Sequence, residues 1–305
     1  MKRKVIIILA VICLASCSKL ERDEEIVVSN AQLQEILIRS YDTNRDGILS
    51  KKEALGVTSI ILTHSQEPVD GLENFPNLEF LCLDNGKFTT LDVSKNTKLK
   101  ALYCQEHKLK TLDLTNNPEL ESVRCQMGEL ESLLLGDKPT LTWLECWENK
   151  LTSLDVNSCD TMIVLYCGDN LLTEINVNNN PHLEGLVCSN NQIETLDMSK
   201  NLKLKYIYCD KNRLLTTLDL SKNTELIGLS CDGNIMMTAL DVSSNVKLEH
   251  LTCKSMNITT LDVSNNLRLH QLFCNSSPNL VTVYLKIGQT IQNLDMDSHT
   301  TIVYK

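Results

Sequence analysis

Nine cysteines recur through this chain at a nearly fixed interval: Cys104, Cys125, Cys146, Cys167, Cys188, Cys209, Cys231, Cys253 and Cys274, in steps of 21 residues except for two of 22. The longer steps fall where "NRLLTTLDL" and "NIMMTALDV" each carry one extra residue. A unit this short cannot enclose a core of its own, so each must bury its apolar face against the next, and the chain is constrained to a stacked solenoid. The unit reads L-x-x-L-x-C-x-x-N-x-L-T-x-L-D-V-S-x-N-x-x. The pattern extends upstream, because Val57, Ile60 and Leu62 precede Leu78, Leu81 and Leu83 by 21 residues, and these precede Leu99, Leu102 and Cys104 by 21. About eleven units therefore span residues 57–277. Beyond them "LVTVYLKIGQTIQNLDMDSHTTIVYK" loses the pattern while staying β-rich, and residues 278–305 are predicted to cap the open end of the stack.

Alternation assigns the faces. In "LKALYCQEH" Leu99, Leu102 and Cys104 point inward, while Ala101, Tyr103 and Gln105 point out. One such strand per coil builds a parallel sheet at about 4.8 Å per step. "LDVSKN" could itself supply that strand, but the cysteine half is preferred because its outward positions vary and collect aromatics. Asparagines recur at two bends of the unit, at 149, 170, 191, 212 and 234 and at 96, 117, 180, 201, 223, 245 and 266, where an amide can satisfy buried backbone groups. In the aspartate column 92, 113, 155, 197, 219, 241 and 262, each carboxylate is expected to accept a bond from nearby Ser, Thr or backbone groups, with a cation ladder as the alternative.

The thiols need their own account. They come singly, without C-x-x-C clusters, which argues against a metal array. In-register strands hold neighbours about 4.8 Å apart where a disulfide wants Cβ atoms at about 3.8 Å, so they are read as small buried hydrophobes. Cys159 occupies an asparagine position, and Cys82, one residue before the ladder column, is expected on the exposed face as the first thiol to react.

The N-terminus reads differently. "MKRKVIIILAVICLASC" has a basic start, an apolar run too short to span a bilayer and small residues before Cys17, which together make a secretory signal over residues 1–16. "LASC" resembles the bacterial lipobox, which implies lipidation of Cys17, and Ser18 behind it resembles outer-membrane sorting. Ordinary signal cleavage nearby is the alternative. Residues 17–28, with "ERDEE", read as an acidic tether resembling the export signal of Bacteroides-group surface lipoproteins. Residues 29–56 form a helical cap around "DTNRDGILSKKE", an EF-hand loop position by position. Asp42, Asn44, Asp46, the Ile48 carbonyl, Ser50 and Glu53 are placed to supply the oxygens that calcium requires, with Gly47 at the sharp turn and Leu49 aimed at the core. A lone loop of this kind is expected to be a structural clip.

The 21-residue unit, the strand cysteine and the lead-in "GLENFPNLEFL" resemble the cysteine-type leucine-rich repeats of internalin J and of Bacteroides-group surface lipoproteins. The resemblance covers roughly residues 57–275. It implies an α/β-type repeat solenoid, a leucine-rich-repeat horseshoe that binds a protein or, alternatively, a polysaccharide on its concave face, in an outer-membrane lipoprotein exposed on the cell surface. The outward columns hold Phe80, Tyr103, Trp143, Trp147, Tyr166, Tyr206, Tyr208 and Phe273, eight of the thirteen aromatics, with Glu145 between the tryptophans, and these nine are the candidate ligand face. Loss of Lys2, Arg3 and Lys4 with the signal takes the net charge from −10 to −13, which argues against a nucleic-acid partner. The six histidines are scattered and mostly read as solvated and no H-E-x-x-H motif or triad spacing occurs, so an enzyme is not expected, a hydrolytic one standing only as a distant third reading.

Overall fold

The computed structural model describes residues 24–65 and 68–305, so Cys17 and the signal segment lie outside the described residues. Each coil gives one short strand to a single parallel sheet of 12 strands, running from Ser59–Ile61 through Ala101–Tyr103 and Trp143–Glu145 to Asn293–Asp295. Register never slips: Ile60, Leu81, Leu102, Val123 and Leu144 are successive partners, and all five are buried. The long sheet is thus the cysteine half of the unit, with Leu99, Leu102 and Cys104 buried as alternation requires. On the opposite side only short parallel pieces form, Thr111–Asp113 with Ser132–Leu134, and Thr260–Asp262 with Thr282–Leu285 and Thr301–Tyr304. In the aspartate column, Asp92, Asp113 and Asp197 each accept the backbone N–H two residues on at 2.9 Å. That bond closes a turn and holds the carboxyls of Asp92, Asp113 and Asp197 below the usual range.

The C-terminal segment continues the stack. Leu294 pairs in register with Leu272, Leu294 and Met296 pack on the core as partly buried residues, and Thr282–Leu285 and Thr301–Tyr304 extend the opposite side.

Two asparagine ladders hold the bends. Asn201 Nδ2 donates to the carbonyls of Val177 and Asn180 at 2.8 and 2.9 Å, one coil back, and Asn180, Asn223, Asn245 and Asn266 repeat the pattern. In the second ladder Asn149 donates to the Cys125 and Cys146 carbonyls while its Oδ1 accepts from Leu130 N at 2.9 Å. Gln289 ends the first ladder by donating to Val263 O and Asn266 O. Several coils carry another residue at these positions. Lys138 is fully buried at an asparagine position and donates to Leu114 O at 2.8 Å, with burial pulling its pKa down. Cys159 is buried at the next position. His107, read from sequence among the solvated histidines, is instead 1% exposed. It replaces an asparagine, with Nε2 3.2 Å from Cys125 O and Nδ1 accepting from Leu109 N at 3.1 Å. Its ring has room only because Gly128 lacks a Cβ, which would lie 2.2 Å from His107 Cε1.

All nine ladder cysteines are fully buried and unpaired, and burial pushes the thiols of Cys125 and Cys167 up to about 12. The expectation for Cys82 needs correction. It does stand in the outward column, in register with Ile61 and Tyr103, but only 8% of it is exposed. Its Sγ donates to Asp84 Oδ2 at 3.4 Å, and burial pushes its pKa up too.

Ahead of the repeats, helix Ala31–Tyr41 starts where Asn30 Oδ1 accepts from Leu33 N, and it buries Leu33 and Leu37. A short helix, Lys51–Ala54, begins at a capping box made by Ser50 and Glu53. Residues 24–28, the end of the segment expected as tether, are docked on this unit. Ile26 and Val28 are buried, Ile26 N donates to Leu49 O at 2.7 Å, and Lys51 N donates to Glu24 O at 2.9 Å.

Candidate binding face and calcium loop

The outward side of the long sheet carries the aromatics in three columns, set by strand alternation. Phe80 and Tyr103 meet edge to face with centroids 5.3 Å apart. The Arg124 guanidinium lies 4.8 Å from the Tyr103 ring and 6.0 Å from that of Trp143. Trp143 then meets Tyr166 at 5.9 Å, and Glu145, the register partner of both Arg124 and Tyr166, accepts from the Trp143 indole at 2.6 Å. Five side chains on five adjacent coils thus form one continuous aromatic and cationic ridge, pinned by a carboxylate. Arg124, its central member, went unmarked in the sequence; its signal is a basic residue in the outward column between Tyr103 and Glu145.

The remaining candidates lie apart from that ridge. Trp147 is half-buried on the face, and among the described residues its ring meets no other aromatic. Phe273 has Lys254 over its ring at 5.9 Å. Tyr206 and Tyr208, 41% and 40% exposed, stand in a second region that sequence reasoning did not resolve. Tyr206 is flanked in register by Gly185 and Gly228, and a Cβ on Gly228 would lie 3.0 Å from the Tyr206 ring. A hollow of about 590 Å³ lies beside these rings, lined by Tyr206, Tyr208, Ser230, His250 and Thr252 among others. Its floor is polar: Asp210 accepts from Ser189 Oγ at 3.0 Å and from Ser230 Oγ, and Thr252 Oγ1 donates to Asp232 at 2.8 Å. Strand glycines beside a tyrosine were the available signal.

The loop of residues 42–53, the candidate calcium site, is organised around its two terminal carboxylates. Asp42 accepts from the backbone N–H groups of Arg45, Asp46 and Gly47 at 2.6, 3.2 and 2.9 Å, and Gly47 takes φ +87° at the turn. Glu53 bridges the loop, accepting from Thr43 N at 2.7 Å and from Ser50 N at 3.1 Å. The Ser50 backbone bond and then the Thr43 hydroxyl hold the Glu53 carboxyl at about 2. Leu49 is fully buried. Two aspartates, a glutamate, an amide, a hydroxyl and a carbonyl gathered in one turn fit the all-oxygen demand of calcium.

Solved structures resemble this fold. An internalin, inlF, from Listeria monocytogenes str. 4b F2365 is 20% identical over 90% of this chain and 94% of that one, with a TM-score of 0.63. The leucine-rich effector YopM from Yersinia pestis is 21% identical over 84% and 77%, with a TM-score of 0.60. The functional domain of InlJ from Listeria monocytogenes, which includes a cysteine ladder, is 24% identical over 78% and 71%, with a TM-score of 0.43. No protein-family model and no curated protein matches the sequence. The chain has the leucine-rich-repeat fold.

Proposed function

We propose that this chain is a recognition protein that binds a protein partner on the outward face of its long sheet, displayed at the outer membrane through a lipid on Cys17. The observation that carries the binding reading is the ridge Phe80, Tyr103, Arg124, Trp143 and Tyr166. Tyr, Trp and Arg dominate protein hot spots because they bring large contact area with few rotatable bonds, and here each is already held by its neighbour, which lowers the entropy lost on binding. The ridge also favours a protein over a polysaccharide. Sugar rings stack on open aromatic faces, whereas Arg124 covers Tyr103, Trp143 and Tyr166 meet edge to face, and the indole N–H is spent on Glu145. The anchor rests on "LASC" and its position behind the apolar run.

Calcium belongs to the same reading as a clip for the N-terminal unit, held by Asp42, Asn44, Asp46, the Ile48 carbonyl, Ser50 and Glu53. Bound there, it neutralises three carboxylates within one turn. Support comes from the coupling of the loop to the fold, since Leu49 is buried and its carbonyl receives Ile26 N.

The test is a binding screen of the purified chain against surface proteins and glycans, followed by Trp143→Ala and Tyr103→Ala. A protein hit weakened at least about tenfold by either variant is expected. An affinity unchanged in both folded variants, or hits confined to glycans, would overturn the reading.

A further inference from the structure

The second half of the sheet gathers three side chains that the ridge does not use. Residues 249 and 270 are one 21-residue coil apart, and His270 N donates to Glu249 O at 3.1 Å, so their side chains leave neighbouring strands at equivalent positions. His250, the first residue of the strand His250–Thr252, follows Glu249 directly and stands in the column of Gly228. The two imidazoles meet edge to face with centroids 4.4 Å apart. One ligand atom each from Glu249, His250 and His270 lies within 4.8 Å of the other two, and all three residues are half-buried. Among the described residues, no hydrogen bond or ion pair satisfies any of these side chains. Three metal-ligating side chains therefore converge, and among the described residues no lysine or arginine is paired with them.

We propose that Glu249, His250 and His270 bind a divalent transition-metal ion of the zinc class at the rim of the tyrosine hollow. Two imidazole nitrogens and one carboxylate oxygen are a poor set for calcium, which takes six to eight oxygens, and a good one for zinc. Tetrahedral zinc with bonds near 2.0–2.1 Å needs its ligands about 3.3 Å apart. The present spacing closes to that by side-chain rotation, because neighbouring strands already hold the residues side by side at about 4.8 Å. Three protein ligands leave a fourth position for water or for an incoming donor. His250 lines the hollow with Tyr206 and Tyr208, so that position adjoins the most exposed aromatics of the face. The site does not depend on the identity of any partner, and the metal alone tests it.

Zinc titration of the purified chain by calorimetry, with calcium saturating, should show one site. His250→Ala and His270→Ala should each weaken it at least tenfold and Glu249→Gln more mildly, whereas Asp42→Ala should leave it unchanged. Cobalt in place of zinc should give visible d–d bands without an intense thiolate charge-transfer band. Zinc affinity unchanged in both histidine variants, loss of binding in Cys82→Ser, or a thiolate band with cobalt would each overturn the proposal. Unfolding midpoints of the variants separate lost ligands from a lost fold, and Glu249→Gln gives a second reading if one histidine variant fails to fold.

Discussion

Replacing Asn201 probes what holds the coils at their bends. Its side chain is fully buried, and Nδ2 donates to Val177 O and Asn180 O at 2.8 and 2.9 Å, while Oδ1 has no partner. In Asn201→Leu, which keeps the branching but exchanges the planar amide for bulkier methyls, two buried carbonyls lose their donor at about 1–3 kcal/mol each. Removing the unpartnered Oδ1 from the interior returns about 1–2 kcal/mol. The net expected loss is therefore about 1–4 kcal/mol, to which overpacking by the larger side chain can only add. Asn201→Asp separates donors from shape. It keeps the outline but aims a carboxylate at two carbonyl oxygens, so a donor account makes it worse than leucine and a shape account makes it benign. Urea unfolding followed by far-ultraviolet circular dichroism measures both variants, and hydrogen exchange at Leu204 N, which donates to Asn201 O, reports local opening in a stack whose coils contact only their neighbours. A loss below about 0.5 kcal/mol in both variants, with exchange unaltered, would refute the argument.

Three further outcomes are expected. His107 has a folded pKa held below the ordinary 6.5, first by burial. Below that value the unfolded chain takes up a proton that the folded one refuses, so stability should fall on acidification from about pH 6.5, by at most about 1.4 kcal/mol per pH unit. His107→Asn, which restores the ladder residue, should flatten that slope between pH 5 and 7, and identical slopes would sink the explanation. Alkylation mapped peptide by peptide should leave all eleven described cysteines unmodified in the native chain and modify them all in denaturant, and rapid native labelling of Cys104 or Cys188 would contradict the buried ladder. Calcium should raise the melting temperature, and Asp42→Ala should abolish that rise. An equal rise in the variant would move the ion to another site.

Periodicity made the stack legible because every coil repeats the same physical problem. Leu102, Cys104 and Asn117 occupy one position each in a pattern that alternation and bend chemistry interpret without coordinates. What escaped were consequences of register between coils. The pairing of His250 with His270 is 20 residues long, one short of a coil, and becomes visible only when Glu249 and His270 are recognised as equivalent positions. Alternation gives the column of Cys82, but its exposure depends on neighbouring side chains, which alternation does not describe. Arg124 breaks the run of aromatics in the sequence, although the ridge is continuous only through its guanidinium.

His107 and Lys138 are legible by position but not by residue type. Each stands where the ladder wants an asparagine, and each supplies part of what the amide would, His107 through both ring nitrogens and Lys138 through one bond to Leu114 O. Cys159 follows Lys138 by 21 residues and brings no amide at all. Two successive coils therefore lack the paired amide bonds that Asn180, Asn201 and Asn223 make elsewhere. Cohesion in a stacked chain is a sum of nearest-neighbour interfaces, so the weak junctions fall at the same coils as the aromatic ridge. Trp143 and Tyr166 meet across those coils, with Arg124 and Glu145 beside them, so the ridge joins on the outside of the sheet what the ladder leaves loose within. The residues proposed to bind a partner are thereby also placed to hold their own coils together, which is why the binding test must be read with an unfolding midpoint beside it.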